Sequence, residues 1–264
     1  MHHHIALDNG LEGQLFLPRG RPGKTAVIIL HERYGLVQHT LDLARKLADD
    51  GYVAFAPNLF AQWDGDKEAL NAGRLRVILP DHECTRTIGQ AIDLLRGDDR
   101  TKSEQICLMG VCQSGRYPLV VASQRDDISA CIVFYGAAQQ RDWDAGELQP
   151  LPMSEILPKV GAPCLFVFGE TDHTISLDHV RRMRNYLEDG RKSYRMHVVA
   201  DAPHGFLNDT MPGRYRPEDT RFAWRLLLDF LGEIAEARWP RGVQWEFMCD
   251  SSKDYDFSRN VRLE

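Results

Sequence analysis

The chain has 264 residues, 43% hydrophobic and 27% charged, with a formal net charge of -6. That length and balance exclude a small stapled module and a disordered chain, and suit one large α/β domain. There is no basic stripe for nucleic acid or an anionic membrane surface, and the longest apolar runs, such as residues 26–30, fall far short of the ~20 residues of a bilayer span.

The amino terminus, Met-His-His-His, lacks the charged-then-apolar plan of a signal peptide, so a cytoplasmic protein is expected, monomeric or homodimeric, with no nucleic-acid or membrane partner. Along the chain, short β-branched apolar runs alternate with segments of helical period. Strands are predicted at 15–17 and 25–30, the second apolar enough to be buried on both faces. A helix is predicted over 39–51, where Leu41, Leu43, Ala44 and Leu47 form an apolar stripe and Gly51 supplies the stop. A strand at 53–56 is closed by Pro57, and the charged stretch 58–77 reads as a loop or lid. Then follow a helix at 81–95, a strand at 105–110, a helix at 114–123 and a strand at 128–135. The stretch 136–161 is loop-rich, 163–168 a strand, 177–187 a helix, 194–199 a strand and 217–237 a closing helix. This alternation implies an α/β fold whose central, mostly parallel sheet carries helices on both faces. Residues 1–237 make the domain. The polar segment 238–264 breaks the rhythm but carries Trp239, Trp245, Phe247, Tyr255 and Phe257, so it is expected to pack on the domain or a second subunit.

In such a sheet, catalytic groups collect at the carboxyl ends of the strands. The first candidate is Gly110-Val111-Cys112-Gln113-Ser114-Gly115, between a strand and a helix. A nucleophile on a sharp strand-to-helix turn needs small residues two before and two after it, and Cys112 has Gly110 and Ser114 there. Ser114, the rival, has the large Arg116 at its second position. The helix amino terminus beyond the turn would favour a thiolate. The plainer reading is a buried structural cysteine, as expected for Cys107, Cys131 and Cys164 within apolar runs; Cys84 and Cys249 complete the six. No Cys-x-x-Cys pair supports a zinc or thioredoxin site. The second candidate is Phe168-Gly169-Glu170-Thr171-Asp172, where Asp172 suits the acid that orients a histidine, with Glu170 as competitor. The third is Ala202-Pro203-His204-Gly205-Phe206, with His204 as the base. Nucleophile, acid and histidine, each after its own strand, stand in the chain order of an α/β-hydrolase.

Val27-Ile28-Ile29-Leu30-His31-Glu32-Arg33-Tyr34-Gly35-Leu36, then Gly51-Tyr52-Val53-Ala54-Phe55-Ala56-Pro57-Asn58-Leu59-Phe60, the cysteine elbow and His204-Gly205-Phe206 together resemble the dienelactone hydrolase family over most of residues 10 to 235. The resemblance implies an α/β-hydrolase fold, a small-molecule ester or lactone substrate, no cofactor, and a triad of Cys112, Asp172 and His204. It also implies that Glu32 holds the resting thiol and takes part in its ionisation. The backbone N–H groups of Arg33 and Gln113 would form the oxyanion hole. A carboxylate at the carboxyl end of 25–30 would lie near the elbow on physical grounds alone, a surface pairing with Arg33 or Arg116 being the alternative. His31 beside it reads as a satisfied histidine rather than a metal ligand, and no metal site is expected.

Two places where the family carries arginines that grip a substrate carboxylate hold Gln62 and Asn208 here, and the elbow reads Cys-Gln-Ser-Gly in place of a Gly-Gly pair. The hydrolytic groups are kept while that clamp is absent, so the usual dienelactone is not the expected substrate. Arg33, Arg74, Arg76 and Arg86 are other cations that could restore a clamp. Phe60, Gln62, Trp63 and Asn208 are the candidate substrate-binding residues. The other readings are acyl transfer, attack on a C–halogen or C–C bond, and a thiol-based binding or redox module without turnover.

Overall fold

A computed structural model of the chain describes residues 1–20 and 22–239. In chain order its elements are β1 (His2–Ala6), β2 (Glu12–Phe16), β3 (Thr25–Leu30), α1 (Gln38–Asp49), β4 (Val53–Pro57) and α2 (Lys67–Asn71). They continue with α3 (Asp81–Gly97), β5 (Gln105–Val111), a 3-10 turn (Cys112–Gly115), α4 (Arg116–Ala122), β6 (Ala130–Phe134) and α5 (Met153–Ile156). The last are β7 (Cys164–Gly169), α6 (Leu177–Asp189), β8 (Tyr194–Val199) and α7 (Pro217–Ala235). The strands form one sheet in the order β1-β2-β4-β3-β5-β6-β7-β8, antiparallel at β1, β2 and β4 and parallel from β4 onward.

The apolar run of β3 is buried along its whole length because the sheet is covered on both faces. Ala26, Ile28 and Leu30 join Ile88, Ile92 and Leu95 of α3, while Val27 and Ile29 join Leu43 and Leu47 of α1 and Leu227 and Phe230 of α7. The strand alternation thus feeds two cores from one segment. In the parallel register Leu30 lies opposite Gly110, so the chain leaving β3 and the chain leaving β5 emerge side by side. That adjacency assembles the site.

The strand expected at 15–17 begins earlier, as β2, and pairs with β1, for which the polar His-His-His sequence gives no apolar signal. Its ladder is backbone, and His2 and His4 both bond Gln14. The helix expected from 114 begins as a 3-10 turn, and α4 is only seven residues long. Trp239 packs on the domain, donating Nε1–H to Ser193 Oγ at 2.7 Å and meeting the Phe230 ring edge-on. The rest of the expected extension, with Cys249, lies outside the described residues. Among the described residues no helix is long and apolar enough to cross a membrane.

Arg116 is fully buried at the start of α4, and its guanidinium forks onto Asp81 at 2.7–3.2 Å. Asp142 stands 4.0 Å away, too far to replace that partner. Asp81→Asn therefore leaves a buried cation short of its counter-ion, a loss of about 3–5 kcal/mol. A urea melt is expected to show the midpoint falling with little change of slope; an unchanged midpoint would remove this pair from the account of stability.

Candidate active site

The turn after β5 forces Cys112 into the left-handed region, with φ 57°. That conformation holds only because the neighbouring backbone is close on every side. A Cβ on Gly110 would stand 2.5 Å from the Ser114 carbonyl oxygen, and one on Gly136 the same distance from that of Cys112. Ser114 fits where the family has glycine because its hydroxyl is used in the turn: Oγ accepts from Val111 N–H at 3.1 Å and lies 2.9 Å from the Leu30 carbonyl, to which it donates. Ser114 therefore braces the elbow onto the end of β3, and Cys112 presents its sulfur.

The sulfur lies 3.1 Å from His204 Nε2, and His204 Nδ1 lies 2.7 Å from Asp172 Oδ2. All three residues are buried. Asp172 is fixed by Thr174 and Ile175 N–H groups, both donating to Oδ1, at 2.6 and 2.9 Å. Glu170, the competitor, accepts instead from Asp201 N–H at 2.9 Å. Burial opposes a charged imidazole here, but the hydrogen bonds to Asp172 and Cys112 prevail and raise His204 from 6.5 to about 10. The imidazolium is therefore the state of His204 that this environment favours. By contrast, burial pushes the Cys84 and Cys107 thiols up to about 12.

Glu32 is also buried, at the carboxyl end of β3, and its Oε2 accepts from Asn208 Nδ2 at 2.6 Å. Neither arginine offered as its alternative partner takes it: Arg116 holds Asp81, and Arg33 donates to the Gly73 carbonyl and stacks on Tyr34. The thiol's own hydrogen bond goes to His204. His31 donates from Nδ1 to the Glu32 carbonyl and accepts Leu59 N–H at Nε2, and burial lowers it to about 4, so it is a neutral brace. Among the described residues no group of three or more His, Cys, Asp or Glu side chains is arranged to hold a metal ion. Arg33 and Gln113 follow Glu32 and Cys112 at the ends of the adjacent strands β3 and β5.

Of the expected substrate contacts, Phe60 stacks on His31 and meets Trp63 edge-on. Phe60 also lines a small cavity of about 10 Å³ with Glu32, Leu79 and Gln113. The other two already have partners within the chain. Gln62 is exposed and donates to the Gly10 carbonyl of the β1–β2 turn, so its amide is already engaged there. Asn208 is buried against Glu32, with its own carbonyl oxygen taken by Thr210. Arg76, carried on the irregular stretch before α3, donates to Gln139 at 3.3 Å and feels the charges of Arg141, Cys112 and Arg33. Gln113 ties the same stretch down, its Nε2 donating to the Val77 carbonyl at 2.7 Å.

Sequence reasoning missed Tyr135 and His173. Tyr135 follows β6, is wholly buried, has φ 38°, and sets its ring edge against His204 at 5.2 Å. Its signal was a position directly after a strand, which an apolar run ending in tyrosine hides. His173, exposed, meets His204 edge-on at 5.8 Å.

The model of the dienelactone hydrolase family matches residues 11–235 of the chain. A Methylorubrum extorquens protein with a provisional carboxymethylenebutenolidase name is 25% identical over 216 residues, 80% of this chain and 72% of that one. The crystal structure of a Klebsiella pneumoniae protein, provisionally a dienelactone hydrolase, superposes with a TM-score of 0.74 at 21% identity, covering 88% of this chain and 98% of that one. The dienelactone hydrolase of Anabaena variabilis gives 0.64 at 20% identity, covering 88% and 97%. At these identities the two structures establish the α/β-hydrolase fold.

Proposed function

The chain belongs to the dienelactone hydrolase family, and from that premise we propose that it hydrolyses a carboxylic ester or lactone through a thioester on Cys112. One observation carries the reading: the line of Cys112 Sγ, His204 and Asp172, closed at 3.1 and 2.7 Å. In acylation the Cys112 thiolate attacks the carbonyl carbon, and the electron pair moves onto the carbonyl oxygen. The N–H groups of Gln113 and Arg33 receive that oxyanion, each worth ~3 kcal/mol. As the tetrahedral species collapses, the His204 imidazolium protonates the leaving oxygen and the thioester remains. Neutral His204 then takes a proton from water, whose oxygen attacks the thioester, and the thiolate leaves. Asp172 holds the imidazole in the tautomer this cycle needs. Glu32, held by Asn208 at the carboxyl end of the strand beside the elbow, takes part in the thiol's ionisation. Residues 1–237 carry all of these groups, and no cofactor enters the cycle.

Rapid mixing with an activated ester tests the reading. Turnover well beyond one equivalent, with an acyl adduct trapped on the Cys112 peptide, is expected. One equivalent alone would point to a thiol-based binder or sensor, and adduct transfer to an added alcohol in preference to water would make the protein an acyltransferase.

Arg76 bears on the substrate. It restores a cation near Cys112 in place of those missing at Gln62 and Asn208, favouring esters whose acid part carries a negative charge other than the usual dienelactone. Charge-assisted hydrogen bonds contribute ~1.5–3 kcal/mol. Arg76→Ala is therefore expected to lower kcat/KM for an anionic ester at least tenfold relative to its neutral methyl counterpart. An unchanged ratio would remove Arg76 from recognition.

A further inference from the structure

The irregular stretch 76–79 has no ladder of its own, so its place depends on what neighbouring segments give it. Two side chains of the elbow hold its backbone. Gln113 donates from Nε2 to the Val77 carbonyl at 2.7 Å. Tyr117, four residues further along the same turn and helix, donates more weakly to the Leu79 carbonyl at 3.5 Å. Gln113 is buried and directly follows Cys112. Arg76 is exposed and reaches the other way, donating to Gln139 Oε1 at 3.3 Å. Gln139 stands shortly after Gly136, where a Cβ would come within 2.5 Å of the Cys112 carbonyl oxygen. Arg76 and Val77 are therefore pinned from two sides of the nucleophile, by the residue after it and by the loop that packs on its carbonyl.

Among the described residues the Gln113 Oε1 is buried without a partner, so the amide is oriented by its donor alone. A buried acceptor left unmet lowers stability, and an apolar side chain at this position would avoid that loss. What the glutamine supplies in return is the bond to Val77. We propose that Gln113 is a positioning residue for Arg76: through the Val77 carbonyl its side chain holds the backbone that carries the guanidinium beside the mouth of the site. The inference rests on Arg76 recognising the acid part of the substrate. An arginine has many rotamers, and fixing its backbone at one place lowers the ordering cost of binding an anion there. Recognition is thereby tied to the residue whose own N–H faces the developing oxyanion, and the anionic end of a substrate is held in register with its reacting carbonyl.

The test is kcat/KM for an anionic ester and for its neutral methyl counterpart, in four proteins: the natural chain, Gln113→Met, Arg76→Ala and the double variant. Methionine keeps the length of the side chain and removes both the donor and the unmet acceptor. Gln113→Met is expected to lower the anionic-to-neutral ratio about three- to tenfold, which is what one neutral hydrogen bond carries. The loss should fall in KM for the anionic ester, since its charge lies away from the reacting carbonyl. In the Arg76→Ala background the same substitution is expected to move the ratio less than about twofold. An unchanged ratio in Gln113→Met beside a lowered one in Arg76→Ala, or equal falls in both backgrounds, would overturn the proposal. A fall in kcat for both esters alike would make the role of Gln113 merely structural and would overturn it too. Should the methionine protein fail to fold, Gln113→Asn, whose amide stops one methylene short of Val77, is expected to lower the ratio in the same way; an unmoved ratio would again count against it. Failure of the underlying reading appears separately, as an unchanged ratio in Arg76→Ala itself, and the positioning role would fall with it.

Discussion

Cys112→Ala is expected to abolish ester turnover while leaving the fold intact, with kcat falling by about 10⁶-fold. The loss should be this large because nothing nearby can replace the sulfur. Ser114, the other small nucleophile of the elbow, has its hydroxyl committed to Val111 N–H and the Leu30 carbonyl. The fold should survive because the left-handed backbone at position 112 is imposed by the glycines packed around it, not by the thiol. In the natural protein iodoacetamide should modify Cys112 before Cys84, Cys107 or Cys131, whose thiols lie above their ordinary values in apolar surroundings. Peptide mapping with activity assays checks both statements. Residual turnover above a few per cent in the alanine protein, or inactivation that follows labelling at another cysteine, would move the nucleophile elsewhere.

The parallel core was legible because β3, β5 and β7 are apolar after at most one polar residue at their start, a pattern that a doubly covered sheet explains. The elbow was legible for a steric reason, the need for small residues at fixed offsets from Cys112. The choice between Asp172 and Glu170 was not, since both follow β7; two backbone N–H groups, invisible in sequence, fix the first toward His204. β1 was hidden because its ladder is made by backbone groups beneath polar side chains. That the Gln62 amide reaches the Gly10 carbonyl of the β1–β2 turn was likewise hidden, since the two lie far apart in sequence. Tyr135 carries no motif at all. Its place edge-on to His204 is a property of three dimensions.

Asp172→Asn should separate the role of this carboxylate from simple packing. Thr174 and Ile175 N–H groups both donate to Oδ1, so the asparagine must keep its carbonyl there and turn its NH₂ toward His204. An amide N–H facing Nδ1 forces the imidazole proton onto Nε2, the nitrogen that must accept from the thiol. Substitutions of this kind cost ~10⁴-fold in kcat. The pH dependence should change as well. Burial opposes the imidazolium, and the Asp172 hydrogen bond is the foremost group overcoming it, so His204 stands at about 10 in the natural chain. A histidine raised above its unfolded value of 6.5 stabilises the fold fully below about pH 6.5 and loses that contribution as pH climbs through about 10. Without the carboxylate, burial is left opposed only by Cys112, and His204 loses its proton at lower pH. Both the alkaline limb of kcat/KM and the alkaline fall in melting temperature should then move down the pH axis. Glu170→Gln, at a side chain that accepts from Asp201 N–H, should leave both limbs in place, because His204 is bonded to Asp172 and Cys112. If Asp172→Asn retained its alkaline limb near pH 10 with turnover within tenfold of the natural chain, the imidazolium would owe nothing to Asp172, and another acid would have to hold His204.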